Sequence, residues 1–331
     1  MMSKEHNLKN SENCYAQWGD IWDEHAKFAA TYEQKDMSIF KSSGIGRVAV
    51  AIGNGYSFEE NIETIKKYKN NIDVIVCDKA LGHCLRNGIV PKFVTLSDCR
   101  VSAEKYLVPY IDQIKETYLL ANVCSNPDWW VRDKWKGIYF HVNMDVLGLE
   151  KRYQELSGCP TLIPAATNVS NTSVVLLTQF ANQRNPVNFM EYDKIILVGY
   201  DFSWKNNYYA FDQDAGGKSR YMQQTYMIDA AGRHVFSSPN LLHSAQWLEA
   251  YARAARLPIR MGSKRSIIQS LPFADLEREL GYNYRTDDFG KLKNLISLRQ
   301  SLQAALEETG EAIDAIRFDH LQNIKRTARW A

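Results

Sequence analysis

Residues 47–78 read RVAVAIGNGYSFEENIETIKKYKNNIDVIVCD. The run Arg47–Ile52 is short, apolar and β-branched, with no polar alternation, as expected of a strand covered on both faces. It ends in Gly53-Asn54-Gly55-Tyr56-Ser57. Phe58, Ile62, Ile65 and Tyr68 then fall on one helical stripe. Glu59 and Glu60 occupy the first turn, where the helix dipole favours acids. Residues 72–78 resume the strand pattern. Strand, glycine turn, helix, strand is the repeating unit of a parallel α/β sheet.

The same alternation continues outward. Residues 81–88 predict a short helix closed by Gly88, 92–98 a strand, Glu104 to Lys115 a helix, and 116–123 and 137–143 two more strands. Residues 172–183 predict a helix and 194–201 (KIILVGYD) a sixth strand. The fold class expected is α/β, a Rossmann-like, doubly wound, mostly parallel sheet. Upstream, residues 1–45 read as a helical lead-in with Trp18, Ile21, Trp22 and His25 at helical spacing. Residues 46–270 hold the sheet domain. Residues 271–331 read as a helical tail, in which Leu292, Leu295, Leu302, Leu306, Ile313 and Ile316 form an a/d-like seam interrupted by Arg299 and Thr309. That seam either packs on its own domain or joins copies of the chain into a homo-oligomer.

Composition narrows the function class. The chain has 331 residues, 45% of them hydrophobic and 24% charged, and a formal net charge of +2. That charge gives no reason to expect nucleic acid as a partner. No apolar run approaches the roughly 20 residues that span a bilayer, and residues 1–14 lack the apolar core of a secretory signal. Six scattered cysteines without a CxxC pair argue against a zinc ribbon or a disulfide framework and suit a reducing cytoplasm.

In an open parallel sheet, ligands bind outside the carboxyl ends of the strands. After the first strand, Gly53 and Gly55 allow close backbone approach, and Ser57 can cap the following helix and aim free N–H groups at an anion. The turn is neither a Walker loop nor GxGxxG. Asp78, Asp98 and Asp201 end three strands, and Gly199 precedes the last of them. A carboxylate there accepts a ribose hydroxyl, holds Mg²⁺ or acts as a base; singly, each also reads as a turn or cap aspartate. His141 and His234 are the histidines placed to serve as acid or base. Asp212-Gln213-Asp214 is a short DxD that reads better as a solvated loop. Trp129, Trp130, Trp135, Trp204, Tyr208, Tyr209 and Tyr221 either stack on a ligand or pack. Lys264-Arg265-Ser266 reads as a phosphate or carboxylate binder, or as a surface turn.

Residues 49–100 resemble the core of the MptE-like 6-hydroxymethylpterin diphosphokinase family, which includes the Maf-type motility-associated glycosyltransferases. Gly53, Gly55 and Ser57 match that family's glycine turn. Asp78, Leu85, Gly88, Ile89, Pro91 and Asp98 match the segment after it. A second block, ATNVSNTSVVLLTQFANQ followed by KIILVGYDFSW, is similar to the family's later motif. Bacterial sialyltransferases that use CMP-sialic acid carry a comparable glycine turn and strand end. The resemblance spans about residues 45–262. It departs at Tyr56, where the family has Pro, at Phe58 for Leu, and at Lys92 for Asp.

The resemblance implies a nucleotide-dependent transferase domain over 46–270. Gly53, Asn54, Gly55, Ser57, Asp78, Asn168, Ser170, Thr172 and Gly199 are then the nucleotide-binding residues, and Asp201, Asp98 and His141 the catalytic candidates. One implied function is glycosyl transfer from a CMP-sugar to an acceptor that the residues do not identify. Another is Mg²⁺-dependent diphosphoryl transfer from ATP to a hydroxymethylpterin-like alcohol, with Asp98 as metal ligand. A third is a nucleotide-binding module without catalysis.

Overall fold

In the computed structural model, the apolar runs line up as one eight-stranded parallel sheet in the order β10-β7-β1-β2-β3-β4-β5-β6. The structure describes residues 4–131, 134–144, 147–178, 189–204, 209–210, 224–255 and 257–281. The strands are β1 (Val48–Ile52), β2 (Ile72–Cys77), β3 (Phe93–Leu96), β4 (Tyr118–Asn122), β5 (Gly137–Met144), β6 (Leu162–Pro164), β7 (Lys194–Val198) and β10 (Ile259–Met261). A separate antiparallel hairpin is made of β8 (Thr225–Ile228) and β9 (His234–Ser237).

Alternate residues of each strand feed two cores. Val48, Val50, Ile52, Val74 and Val76 pack with Phe58, Ile62 and Ile65 of α2 (Tyr56–Tyr68). Ala49, Ala51, Ile75, Ile195 and Leu197 pack with Val174 to Leu177 of α6 (Val169–Thr178). Burial on both faces is why the strands read as continuous apolar runs. Each large side chain so buried stabilises the fold by about 1.5–3 kcal/mol. The lead-in is α1 (Lys4–Ala29), which packs against α5 (Glu150–Ser157).

Several elements differ from the sequence reading. The helix expected from Glu104 to Lys115 is broken into a single turn, α4 (Ala103–Tyr106), and a 3₁₀ segment, Val108–Gln113. Pro109 lies inside it; it lacks an N–H and disfavours helical geometry at the residue before it. The other helix of that half, α3, spans Leu81–Arg86 and ends before Gly88 at φ 68°. β6, β10, the hairpin, α5 and α7 (Pro239–Ala255) have no counterpart in the sequence reading. The a/d seam and its proposed role in assembly lie outside the described residues; the tail is described only through α8 (Leu276–Gly281). No helix among the described residues is long and apolar enough to cross a membrane.

The functional consequence is the strand order. From β1 the chain runs outward to β6, then returns to place β7 on the other side of β1. The crossovers reverse between β1 and β7, so a crevice opens outside their carboxyl ends.

Candidate functional site

The β1–α2 turn is clamped to the end of β7. The Gly53 N–H donates to the Val198 carbonyl at 2.8 Å and the Gly55 N–H to the Gly199 carbonyl at 3.0 Å. The Gly199 N–H donates to Ser57 Oγ at 2.9 Å. The Ser57 N–H donates to Asp201 Oδ2 at 2.7 Å. Asp201 therefore caps α2 from across the sheet, using one of the free N–H groups of the first helical turn. The two glycines are required here by proximity: a Cβ on Gly53 would lie 2.5 Å from the Gly199 oxygen, and one on Gly55 2.7 Å from it. A Gly55→Val variant therefore disrupts the turn itself as well as any ligand contact.

A cavity of about 210 Å³ opens beside this clamp. Six of the expected nucleotide-binding residues line it: Asn54, Gly55, Asp78, Asn168, Ser170 and Gly199. Asn168 accepts the Asn171 N–H at 2.8 Å and caps α6, whose first turn enters the cavity wall. Two helix N-termini thus converge on one space, an arrangement that attracts anions. Lys79 also lines it, with its ammonium 5.7 Å from the Tyr209 ring centre. Burial works against the Lys79 charge, but Tyr209, Asp78 and Asp98 around it outweigh burial and hold its pKa above the ordinary value. Lys79 stays charged and is the cation of the site. The sequence reading passed over it, although a lysine directly after a strand-ending aspartate (VIVCDKALG) was the available signal.

The remaining groups divide by burial. Burial pushes the Cys77 thiol up to about 12, so Cys77 is wall rather than nucleophile. Asp78 is 2% exposed; it accepts the Lys79 N–H at 2.6 Å through Oδ1, while Oδ2 has no partner among the described residues. Burial raises its pKa from 3.8 to about 6. The native state therefore binds a proton that the unfolded chain has released between about pH 4 and pH 6, and stability attributable to Asp78 falls as pH rises through that window. Asp78→Asn is expected to raise the unfolding free energy at pH 7, and the midpoint with it, by up to about 3 kcal/mol at about 1.4 kcal/mol per pKa unit. It should also flatten the acid-side slope of stability in denaturant titrations at pH 4 to 7. Asp201, raised by burial to about 6, keeps the rest of that slope. A midpoint at pH 7 that Asp78→Asn leaves unmoved or lowers would sink this.

Not every expected residue reaches the cavity. Gly53, Ser57, Thr172 and Asp201 lie behind its lining, in the clamp and in α6, where Thr172 Oγ1 donates to the Asn168 carbonyl at 3.1 Å. Asp201→Asn is expected to be at least as stable as wild type at pH 7, because an amide oxygen still accepts from Ser57 and the buried charge that raises the Asp201 pKa to about 6 is gone. Asp201→Ala orphans a buried N–H and should cost about 1–3 kcal/mol. Equal stability of the two variants would show that the cap contributes nothing. Asp98 borders a neighbouring cavity and its charge acts on Asp78 and Lys79.

His141 is not brought to the crevice. It lies on β5, fully buried, with both ring nitrogens unpartnered among the described residues and its pKa lowered by burial to about 3. It stays neutral and takes up no proton at ordinary pH. His234 sits exposed on the hairpin. Trp129, Trp130, Trp135 and Trp204 are buried and pack; the Trp129 and Trp135 indole N–H groups donate to the Val101 and Trp129 carbonyls. Arg265 pairs with Glu60. Lys92 stands at the opposite, amino end of the sheet, bonded to Asp73 at 2.5 Å, so its departure from the family pattern leaves the crevice untouched. The DxD of 212–214, Tyr208 and Tyr221 lie outside the described residues.

The family model described as 6-hydroxymethylpterin diphosphokinase MptE-like matches residues 24–207. Among solved structures, the chain is similar to a MAf glycosyltransferase from Magnetospirillum magneticum AMB-1, with 18% identity and a TM-score of 0.51. The similarity covers 79% of this chain and 40% of that one, so the chain spans well under half of that protein's length. No curated protein matches.

Proposed function

Because this chain belongs to the MptE-like 6-hydroxymethylpterin diphosphokinase family, we propose that it is a nucleotide-dependent group transferase whose reaction is glycosyl transfer from a nucleotide-activated sugar of the CMP-sugar type. The observation that carries the reading is Lys79, held charged where the N-termini of α2 and α6 meet at the β1/β7 switch point. Donor phosphate belongs there. The fold it shares with a MAf glycosyltransferase is one that serves such chemistry.

In this reading the acceptor hydroxyl attacks the anomeric carbon of the donor. The bond from that carbon to the phosphate oxygen breaks and its electron pair stays on the phosphate. Lys79 and the helix N-termini stabilise the charge that develops there. The hydroxyl proton passes to a carboxylate, a role we give to Asp98, which is exposed and lines the neighbouring cavity. Asp201 acts by position, holding the turn that carries Gly55.

The diphosphokinase alternative has Asp78 and Asp98 in its favour, two acids that feel each other's charge. One or two carboxylates with substrate phosphates are enough to hold Mg²⁺; we rank this reading second because the Lys79 ammonium stands with those two carboxylates and competes for them. The six thiols, all free and three of them buried, support the cytoplasmic assignment.

Thermal-shift titration with CMP, UDP, GDP and ATP, each with and without Mg²⁺, tests the proposal. A response to a cytidine nucleotide without metal is expected. Response to ATP alone and only with Mg²⁺ would transfer the case to diphosphoryl transfer. Silence with every nucleotide would overturn the reading.

A further inference from the structure

A second cavity, about 530 Å³, lies at the carboxyl ends of β3, β4 and β5, with Trp18 and Trp22 of α1 in its wall. The β6–α6 segment passes from one to the other, with Ala165 and Ala166 lining the second and Asn168 to Ser170 the first. Asp98 borders the second while its charge acts on Lys79 in the first.

We propose that this second cavity is the acceptor subsite and takes a sugar that carries a carboxylate. The proposal rests on the group-transfer reading above and deepens it.

Three observations point to this class. The first is a set of polar atoms left without partners among the described residues: Ser97 Oγ, Asn143 Oδ1 and Tyr153 Oη, all in residues that line the cavity. Tyr153 is only 5% exposed. Buried polar atoms in folded proteins are paired as a rule, so three in the wall of one cavity are groups that hydroxyls of a ligand would pair once the wall shifts to expose them. They come from three elements, the end of β3, β5 and α5, and so surround the space rather than sharing one edge. That suits the hydroxyls of a puckered ring better than a flat heterocycle.

The second observation is Arg100. Its guanidinium lies 4.6 Å from the centre of the Trp18 ring, and it has no carboxylate partner among the described residues. A planar guanidinium at the rim binds a carboxylate through two parallel hydrogen bonds. The third is the pair of indoles, Trp18 and Trp22, which offer apolar surface to the C–H face of a sugar. With the ligand carboxylate at Arg100, a hydroxyl is left to meet Asp98 on the side of the donor.

The test uses the full chain and calorimetric titration with D-glucuronate, D-glucose, 6-hydroxymethylpterin and CMP. D-Glucuronate is expected to bind at least roughly tenfold more tightly than D-glucose, and Arg100→Gln should abolish that preference. Tyr153→Phe, which removes an unpartnered hydroxyl, should weaken D-glucuronate about fivefold or more while leaving the unfolding midpoint unchanged or higher. CMP affinity should be the same in both variants. Equal binding of D-glucuronate and D-glucose, failure of D-glucuronate to bind, indifference to Arg100→Gln, or preferential binding of the pterin would each overturn the acceptor class. Loss of CMP binding by the wild-type chain would instead overturn the nucleotide reading of the first cavity, so the two failures are distinct.

Discussion

Gly199→Ala is expected to lower the unfolding midpoint by about 10 °C, while Gly232→Ala lowers it by only a few degrees. Both glycines have positive φ, 74° and 79°. Alanine pays a similar backbone strain of about 1 kcal/mol at either position. The surroundings differ. A Cβ on Gly232 meets nothing within 4 Å, whereas one on Gly199 would lie 2.3 Å from the Gly53 oxygen, 2.8 Å from the Gly53 carbonyl carbon and 3.2 Å from the Gly55 nitrogen. All three are backbone atoms and none can rotate away. Relief requires the end of β7 to move off the β1–α2 turn. That motion stretches the Gly55-to-Gly199 and Gly199-to-Ser57 hydrogen bonds together. A total of about 3–5 kcal/mol follows, at roughly 2–4 °C per kcal/mol for a domain of this size. Nucleotide affinity should fall with it, because Gly55 and Gly199 both line the cavity. Thermal or urea unfolding of the two variants side by side checks this. Equal midpoints would mean that the clamp yields without cost and that the glycines serve φ alone.

Lys79→Met is expected to weaken CMP about 10- to 100-fold and to leave cytidine, which has no phosphate, unaffected. Methionine keeps much of the stem and removes the ammonium. A charge-assisted hydrogen bond to phosphate is worth about 1.5–3 kcal/mol, which sets the range. The comparison with cytidine separates a phosphate contact from a base or ribose contact, and wild-type binding should weaken with salt more steeply than that of the variant. The variant should lose some stability, because Tyr209, Asp78 and Asp98 outweigh burial and make the Lys79 charge net stabilising; unchanged cytidine binding then shows that the cavity is intact. Asp78 then loses the cation that lowers its pKa, so its protonation should move to still higher pH. CMP binding by Lys79→Met at wild-type strength would remove the phosphate from this cavity.

The local patterns were sufficient for the central sheet. Residues 47–52, 72–78 and 194–201 form continuous apolar runs because both faces of β1, β2 and β7 are buried, and burial on both faces leaves no alternation to misread. The glycine turn, the helix after it and the strand-ending aspartates were legible for the same local reason. β6 and β10 were not, since three residues carry no period. Placement of the aspartates was decided by tertiary structure alone. Asp78, Asp98 and Asp201 all end strands, yet Asp78 faces the first cavity, Asp98 borders the second, and Asp201 turns back to cap α2. Strand order and side-chain direction separate them, and neither is encoded within a few residues of each aspartate. The same holds for His141, whose strand position resembles that of a site residue while its ring is sealed in the sheet, and for Lys79, whose role depends on Tyr209 and Asp98 brought from distant parts of the chain. Residue type and period along the chain determined which elements form; the charge and hydrogen-bonding partners that define the site were set only by long-range packing.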